Sequence, residues 1–199
     1  MNEQMQNLLL EALEHERGGI LIYGQAVEAV QEEQLQEEFG KYLEETQRHE
    51  QILLTVFEQL GIDPETETPA RPIVKANGEA LVKAIVAARE SGKPDVAQLT
   101  ACECVVLAET KDHMNWELIG QIAESLKGKE REVLQAAVDE VEDQEDEHLY
   151  HSKGWCRELW LKSLGLRAVL PPPEERKHVK TAIGAARAEQ ARGSMRSKH

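Results

Sequence analysis

The sequence predicts an all-α chain: a bundle of four long helices, with a long crossover carrying a short helix between the second and third. Three observations predict it. Glu, Ala, Leu, Gln and Lys dominate the composition, and these residues favour helix. Aromatic residues make up only 4% and β-branched runs are scarce, which disfavours sheet. Apolar residues recur at steps of three and four over four stretches of roughly thirty residues.

The first helix is expected over residues 2 to about 30. Leu9, Leu13, Glu16, Ile20, Tyr23, Val27 and Val30 form its inward stripe. Gly18 and Gly19 each weaken a helix by about 1 kcal/mol relative to Ala, so their presence signals close packing. After a short connection near Glu32 to Gln34, the second helix runs to Leu60. Phe39, Tyr42, Leu43, Thr46, His49, Leu53, Val56, Phe57 and Leu60 face inward, and Gly61 and Pro64 end the helix. Residues 61–75 read as a loop with three prolines, followed by a short helix from Gly78 to Glu90.

The third long helix is expected from about Asp95 to Leu126. Cys102, Val105, Val106, Glu109, Asp112, Trp116, Ile119 and Ile122 lie on its inner side. Lys127-Gly128-Lys129 breaks the chain, and the fourth helix covers about Glu130 to Ser163. On it Leu134, Val138, Val141, Glu145, His148, Ser152 and Trp155 share one stripe. The domain division is therefore a bundle over 1–166 and a tail over 167–199, led by Pro171-Pro172-Pro173 and either disordered or partly helical. From Arg167 on, eight Lys/Arg stand against three Glu, a surplus of five. The chain's net −14 then leaves −19 on the preceding residues, and the tail is expected to fold back on this acidic body.

The charge excludes nucleic-acid binding by the bundle and suits a protein that attracts cations. No apolar run approaches the ~20 residues that span a membrane. Three cysteines and an N-terminus too acidic for a secretory signal point to a reducing, cytoplasmic setting. Cys102 and Cys104, two apart on a helix, diverge and read as buried core thiols. There is no paired C-x-x-C, no Gly-rich phosphate loop and no serine-nucleophile motif.

What carries chemistry is the placement of polar residues on inward stripes. Glu16, His49, Glu109, Glu145 and His148 are mid-helix on four different helices, with Glu45 and Asp112 as lesser candidates. A buried carboxylate costs several kcal/mol unless it is protonated, paired or bound to metal. Glu16 is followed seven residues later by Tyr23, and Glu109 by Trp116, a faint internal duplication; these aromatics read first as core packing and second as hydrogen-bonding partners of the carboxylates. His15, His113 and His151 sit beside the stripe and read as surface or supporting residues. The pattern Glu-x-x-His occurs twice, at Glu145–His148 and in the tail at Glu175–His178.

With Glu on one helix and Glu-x-x-His on the next, the pattern resembles the ferritin-like diiron-carboxylate superfamily, which includes rubrerythrins and bacterioferritins. The segment EETQRHEQILLTVFEQLG is similar to the second helix of stress-linked bacterial members. The resemblance implies a site for one or two iron ions, with manganese or zinc as alternatives. Glu145 would bridge, His148 and His49 would each cap an ion, and Glu16 and Glu109 would be terminal ligands. It implies oxidation of iron(II) by oxygen or peroxide, in iron handling or oxidative-stress defence, and leaves a homo-oligomer open. One departure stands out: three residues before His49 the family's Glu is replaced by Thr46. That position favours a second reading, a non-catalytic helical bundle that keeps the fold. A third reading, an oxygenase acting on an organic substrate, requires an apolar pocket beside the site.

Overall fold

The computed structural model describes residues 1–196 and contains seven helices and, among the described residues, no strand. They are α1 (Glu3–Ala29), α2 (Glu33–Leu60), α3 (Arg71–Glu90), α4 (Pro94–Ser125), α5 (Gly128–Ser163), α6 (Pro173–Arg176) and α7 (Ala182–Arg196). The last three residues of the basic tail lie outside this range. No helix among the described residues is long and apolar enough to cross a membrane.

Two apolar clusters fix how α1, α2, α4 and α5 run. The first joins the end of α1 (Ile22, Ala26) to the start of α2 (Leu35, Phe39), the start of α4 (Ala101, Val105) and the end of α5 (Trp155, Leu159). The second joins the start of α1 (Leu9, Leu13) to the end of α2 (Leu53, Phe57), the end of α4 (Ile119, Ala123) and the start of α5 (Leu134, Val138). Each helix is therefore antiparallel to both neighbours, and α3 carries the chain back along the bundle between α2 and α4. Mid-helix residues meet between the two clusters, at one depth.

The crossover helix is longer than the sequence suggests. It starts at Arg71, seven residues before Gly78, because Pro72 sits in its first turn, where a missing N–H is tolerated. Thr68 Oγ1 accepts the Arg71 backbone N–H at 3.2 Å. The buried Arg71 guanidinium donates to the carbonyls of Pro64 and Thr66 and to Glu14, tying the loop to α1. Gly78 lies inside the helix and serves a close crossing: a Cβ on it would stand 3.4 Å from the Gly18 Cα. Gly19 likewise faces Thr46, whose methyl would be 3.2 Å from an added Cβ.

All seven members of the α5 stripe, from Leu134 to Trp155, are buried. Cys102, Cys104 and Cys156 are free thiols, the first two buried. Beyond α5 the chain folds back. Val169 N–H donates to the fully buried Glu158 at 2.8 Å, and Arg157 forms a two-pronged pair with Glu174 at 2.6 and 2.9 Å. Glu174 packs on Gly154, where a Cβ would come within 2.8 Å of its carboxylate.

Arg157→Ala strips buried Glu174 of its cation, while Glu158 keeps Arg192 at 2.6 Å, and is expected to cost about 3 kcal/mol. Hydrogen exchange over residues 169–192 should quicken while the α1–α2 amides keep their protection; unchanged protection in the tail would refute the clamp.

Candidate metal centre

Glu16, His49, Glu109, Asp112, Glu145 and His148 are all buried, between the two apolar clusters. α1 supplies Glu16, α2 His49, α4 Glu109 and Asp112, and α5 Glu145 and His148. Two trios form within this set, Glu16–His49–Glu145 and Glu109–Glu145–His148. In each, one potential ligand atom per residue lies within 4.8 Å of the others. Glu145 belongs to both.

The ligand-capable atoms are shielded from water without being bonded to one another. Glu16 Oε2, His49 Nδ1, Glu109 Oε2, Asp112 Oδ1, both Glu145 oxygens and His148 Nδ1 are buried and lack hydrogen-bond partners. His49 Nδ1 is 3.0 Å from Glu145 Oε1 and 3.9 Å from Glu16 Oε1, near but not aligned to bond. His148 Nδ1 is 3.7 Å from Glu109 Oε2 and 3.9 Å from Glu145 Oε1.

Each imidazole is held from behind by its other nitrogen. His148 Nε2 lies 2.9 Å from Glu45 Oε2, and His49 Nε2 lies 2.7 Å from Gln144 Oε1. With the outer nitrogens so engaged, Nδ1 of each ring faces the centre. Glu45 and Gln144 are each four residues before the histidine on their own helix, and each supports the histidine on the other. Glu45 thus contacts His148 through the nitrogen on the far side of the ring and belongs to neither trio. Gln144 was not apparent in the sequence, because an amide is not a ligand type; the repeated four-residue offset is the signal that marks it.

A second exchange relates α1 and α4. Trp116 Nε1–H donates to Glu16 Oε1 at 2.8 Å. The Tyr23 phenol is pushed up by burial and then by the Glu109 charge beside it. Trp116 thus serves the carboxylate of the opposite helix, whereas the buried Tyr23 hydroxyl lies near Glu109 without a hydrogen-bond partner. The two halves differ at one pair of positions. Where α4 and α5 carry Asp112 and Glu145, α1 and α2 carry Gly19 and Thr46, packed against each other. The carboxylate absent at Thr46 is replaced in number by Asp112, whose charge bears on Glu16, Glu109 and Glu145.

The electrostatics follow from this crowding. Burial, then the Asp112 charge, pushes both Glu16 and Glu145 well above the usual carboxylate range. Burial also raises Asp112, to about 6. Burial and the nearby His148 lower His49 to about 4. Burial disfavours the charged form of His148 as well, but Glu109 and Glu45 outweigh it and raise the ring to about 9. His148 therefore carries a proton at neutral pH that a divalent cation would displace.

Of the remaining histidines, His15 Nε2 lies 3.0 Å from the Ala108 carbonyl and His113 Nε2 2.6 Å from Asp146, both away from the trios. His151 is buried and belongs to a separate cluster with Glu38 and Glu175. Tyr42, read as core from the sequence, lies against the His148 ring with centroids 4.1 Å apart. A cleft of about 390 Å³ between α4 and α5 reaches Glu145 from the surface past Glu117, Glu124, Glu142 and Asp146. In comparisons with known proteins, no family model, no curated protein and no solved structure matches the chain.

Two predictions follow from the geometry. Gln144→Leu and Glu45→Leu each release one imidazole, and each is expected to weaken metal binding 10- to 100-fold, measured by competition with a chromophoric chelator. Equal affinity in either variant and the parent would refute the reciprocal support. Without metal, His148 is raised in the folded state from about 6.5 to about 9. Its contribution to stability is then full below pH 6.5 and lost as pH rises through 9. Glu16 and Glu145, also raised, act in the same direction. Urea midpoints of the metal-free protein should therefore fall between pH 6.5 and 9, and a rise across that window would contradict these shifts.

Proposed function

We propose that the chain is a non-haem iron protein of ferritin-like type, in which Glu16, His49, Glu109, Asp112, Glu145 and His148 hold two cations with Glu145 between them. The observation that carries this reading is the set of buried, mutually unbonded ligand atoms shared by two trios through one carboxylate. Four carboxylates balance two divalent charges, and oxygen with imidazole donors suits iron, manganese and zinc. Iron(II) held there would supply electrons to oxygen or peroxide, itself becoming iron(III). The acidic cleft draws cations toward Glu145. Trp116 orients Glu16, Gln144 and Glu45 orient the two imidazoles, and the apolar clusters on either side limit water. His148, raised to about 9, would give up its proton to a cation held there.

A second reading, a helical bundle without metal chemistry, is favoured by Thr46 and by the protonated state toward which burial drives Glu16 and Glu145. The oxygenase reading requires an apolar pocket; one of about 330 Å³, lined by Ile22, Leu81, Leu107 and Ala108, lies beside α1 and α4 but includes none of the six proposed ligands.

Metal analysis of the purified protein, followed by addition of iron(II) in air with near-ultraviolet detection, separates these readings. The proposal expects bound metal and a new absorption band, both abolished in Glu145→Ala, with lower stability of the metal-loaded variant. No metal, no band, and a Glu145→Ala chain as stable as the parent or more so would establish the metal-free bundle instead.

A further inference from the structure

The tail holds a second Glu-x-x-His match, Glu175–His178, that the central site does not use. The fold brings Glu175 over the seam between α2 and α5, above His151. His151 lies one turn beyond His148 and its side chain is 2% exposed. Its Nδ1 meets three oxygens: Glu175 Oε2 at 2.8 Å, the Tyr42 hydroxyl at 3.1 Å and Glu38 Oε1 at 3.2 Å. One N–H cannot be directed at all three.

The carboxylates are arranged as ligands are. Tyr42 donates to Glu38 Oε1 at 2.7 Å and Trp155 to Glu38 Oε2 at 2.8 Å, so two donors hold that carboxylate in place. Glu175 Oε2 is shielded from solvent and has no aligned donor despite its nearness to His151. The same combination, close but unbonded, marks His49 and Glu145 in the centre. A cleft of about 480 Å³ lined by Glu37, Lys41, Glu147, Arg176 and His178 opens onto Glu38 and Glu175 from the surface.

We propose that Glu38, His151 and Glu175 form a second divalent-cation site, separate from the centre, which fastens the tail to the bundle. One neutral imidazole and two carboxylates balance a divalent charge and suit an ion of the zinc or iron(II) class. Tyr42 stands between the two sites, its hydroxyl bonded to Glu38 and its ring against His148. Because Glu175 lies on α6, an ion here links a segment distant in sequence to α2 and α5.

Zinc(II) is the probe. The full-length chain is titrated alongside Glu175→Gln and His151→Asn, and both again in a Glu145→Ala background that weakens the centre. The proposal expects each of the two variants to bind one zinc fewer than its parent in either background, or to bind that ion more than tenfold more weakly. It also expects zinc to slow hydrogen exchange over residues 169–180 of the Glu145→Ala chain, and Glu175→Gln to abolish that slowing. Glu175 is partly exposed, so Glu175→Gln retains the fold even if His151→Asn does not. Equal zinc stoichiometry and affinity with and without Glu175→Gln would overturn the proposal and leave a protonated His151 clamped between two carboxylates. The Glu145→Ala background separates this result from failure of the central site.

Discussion

Burial of ionisable groups midway along the bundle is the constraint from which the rest of the structure follows. Glu16, Glu109, Asp112 and Glu145 are withdrawn from water between two apolar clusters that contribute no counter-charge. Such groups must hold protons, find partners or bind cations. His148 provides one positive charge, shared between Glu109 and Glu45, and the remaining acids stay in excess. Orientation comes from the Trp116 indole N–H, which donates to Glu16, and from the Gln144 side-chain oxygen, which accepts from His49 Nε2. What is left over is a group of oxygen and nitrogen atoms turned toward one another, the arrangement that a pair of cations would complete.

The support for that group is reciprocal. α2 steadies the histidine of α5 and α5 that of α2, while between α1 and α4 the Trp116 indole holds Glu16 and Tyr23 stands near Glu109 without bonding it. A site built this way requires the two helix pairs to sit in one register, and the antiparallel packing of apolar residues at both ends sets it. The break in the symmetry is local. Gly19 and Thr46 close the α1–α2 side with small groups, and Asp112 and Glu145 both come from the α4–α5 side. The charge is displaced toward the face where the acidic cleft reaches Glu145.

Much of this was legible in the chain, for physical reasons that differ between elements. The α5 stripe is uninterrupted by Gly or Pro before Gly154, so period alone placed Glu145 and His148 inward together. The seven-residue spacing of Glu16–Tyr23 and Glu109–Trp116 exposed the duplication. The start of α3 was hidden because Pro72 reads as a breaker until it is seen in a first turn, where it is compatible with helix. Gln144 was hidden by its residue type. The cluster around His151 depends on the return of the tail across the seam, a long-range event fixed by Glu158, Arg157 and Gly154 and carrying no local signal.

We propose that one buried carboxylate, Glu145, joins two cation positions. Anomalous diffraction from crystals soaked in manganese(II) tests it most directly. The account predicts two peaks within the bundle, one beside His49 and Glu16, the other beside His148 and Glu109, with Glu145 touching both. A bundle without a peak there, or with a single peak that does not contact Glu145, would contradict it.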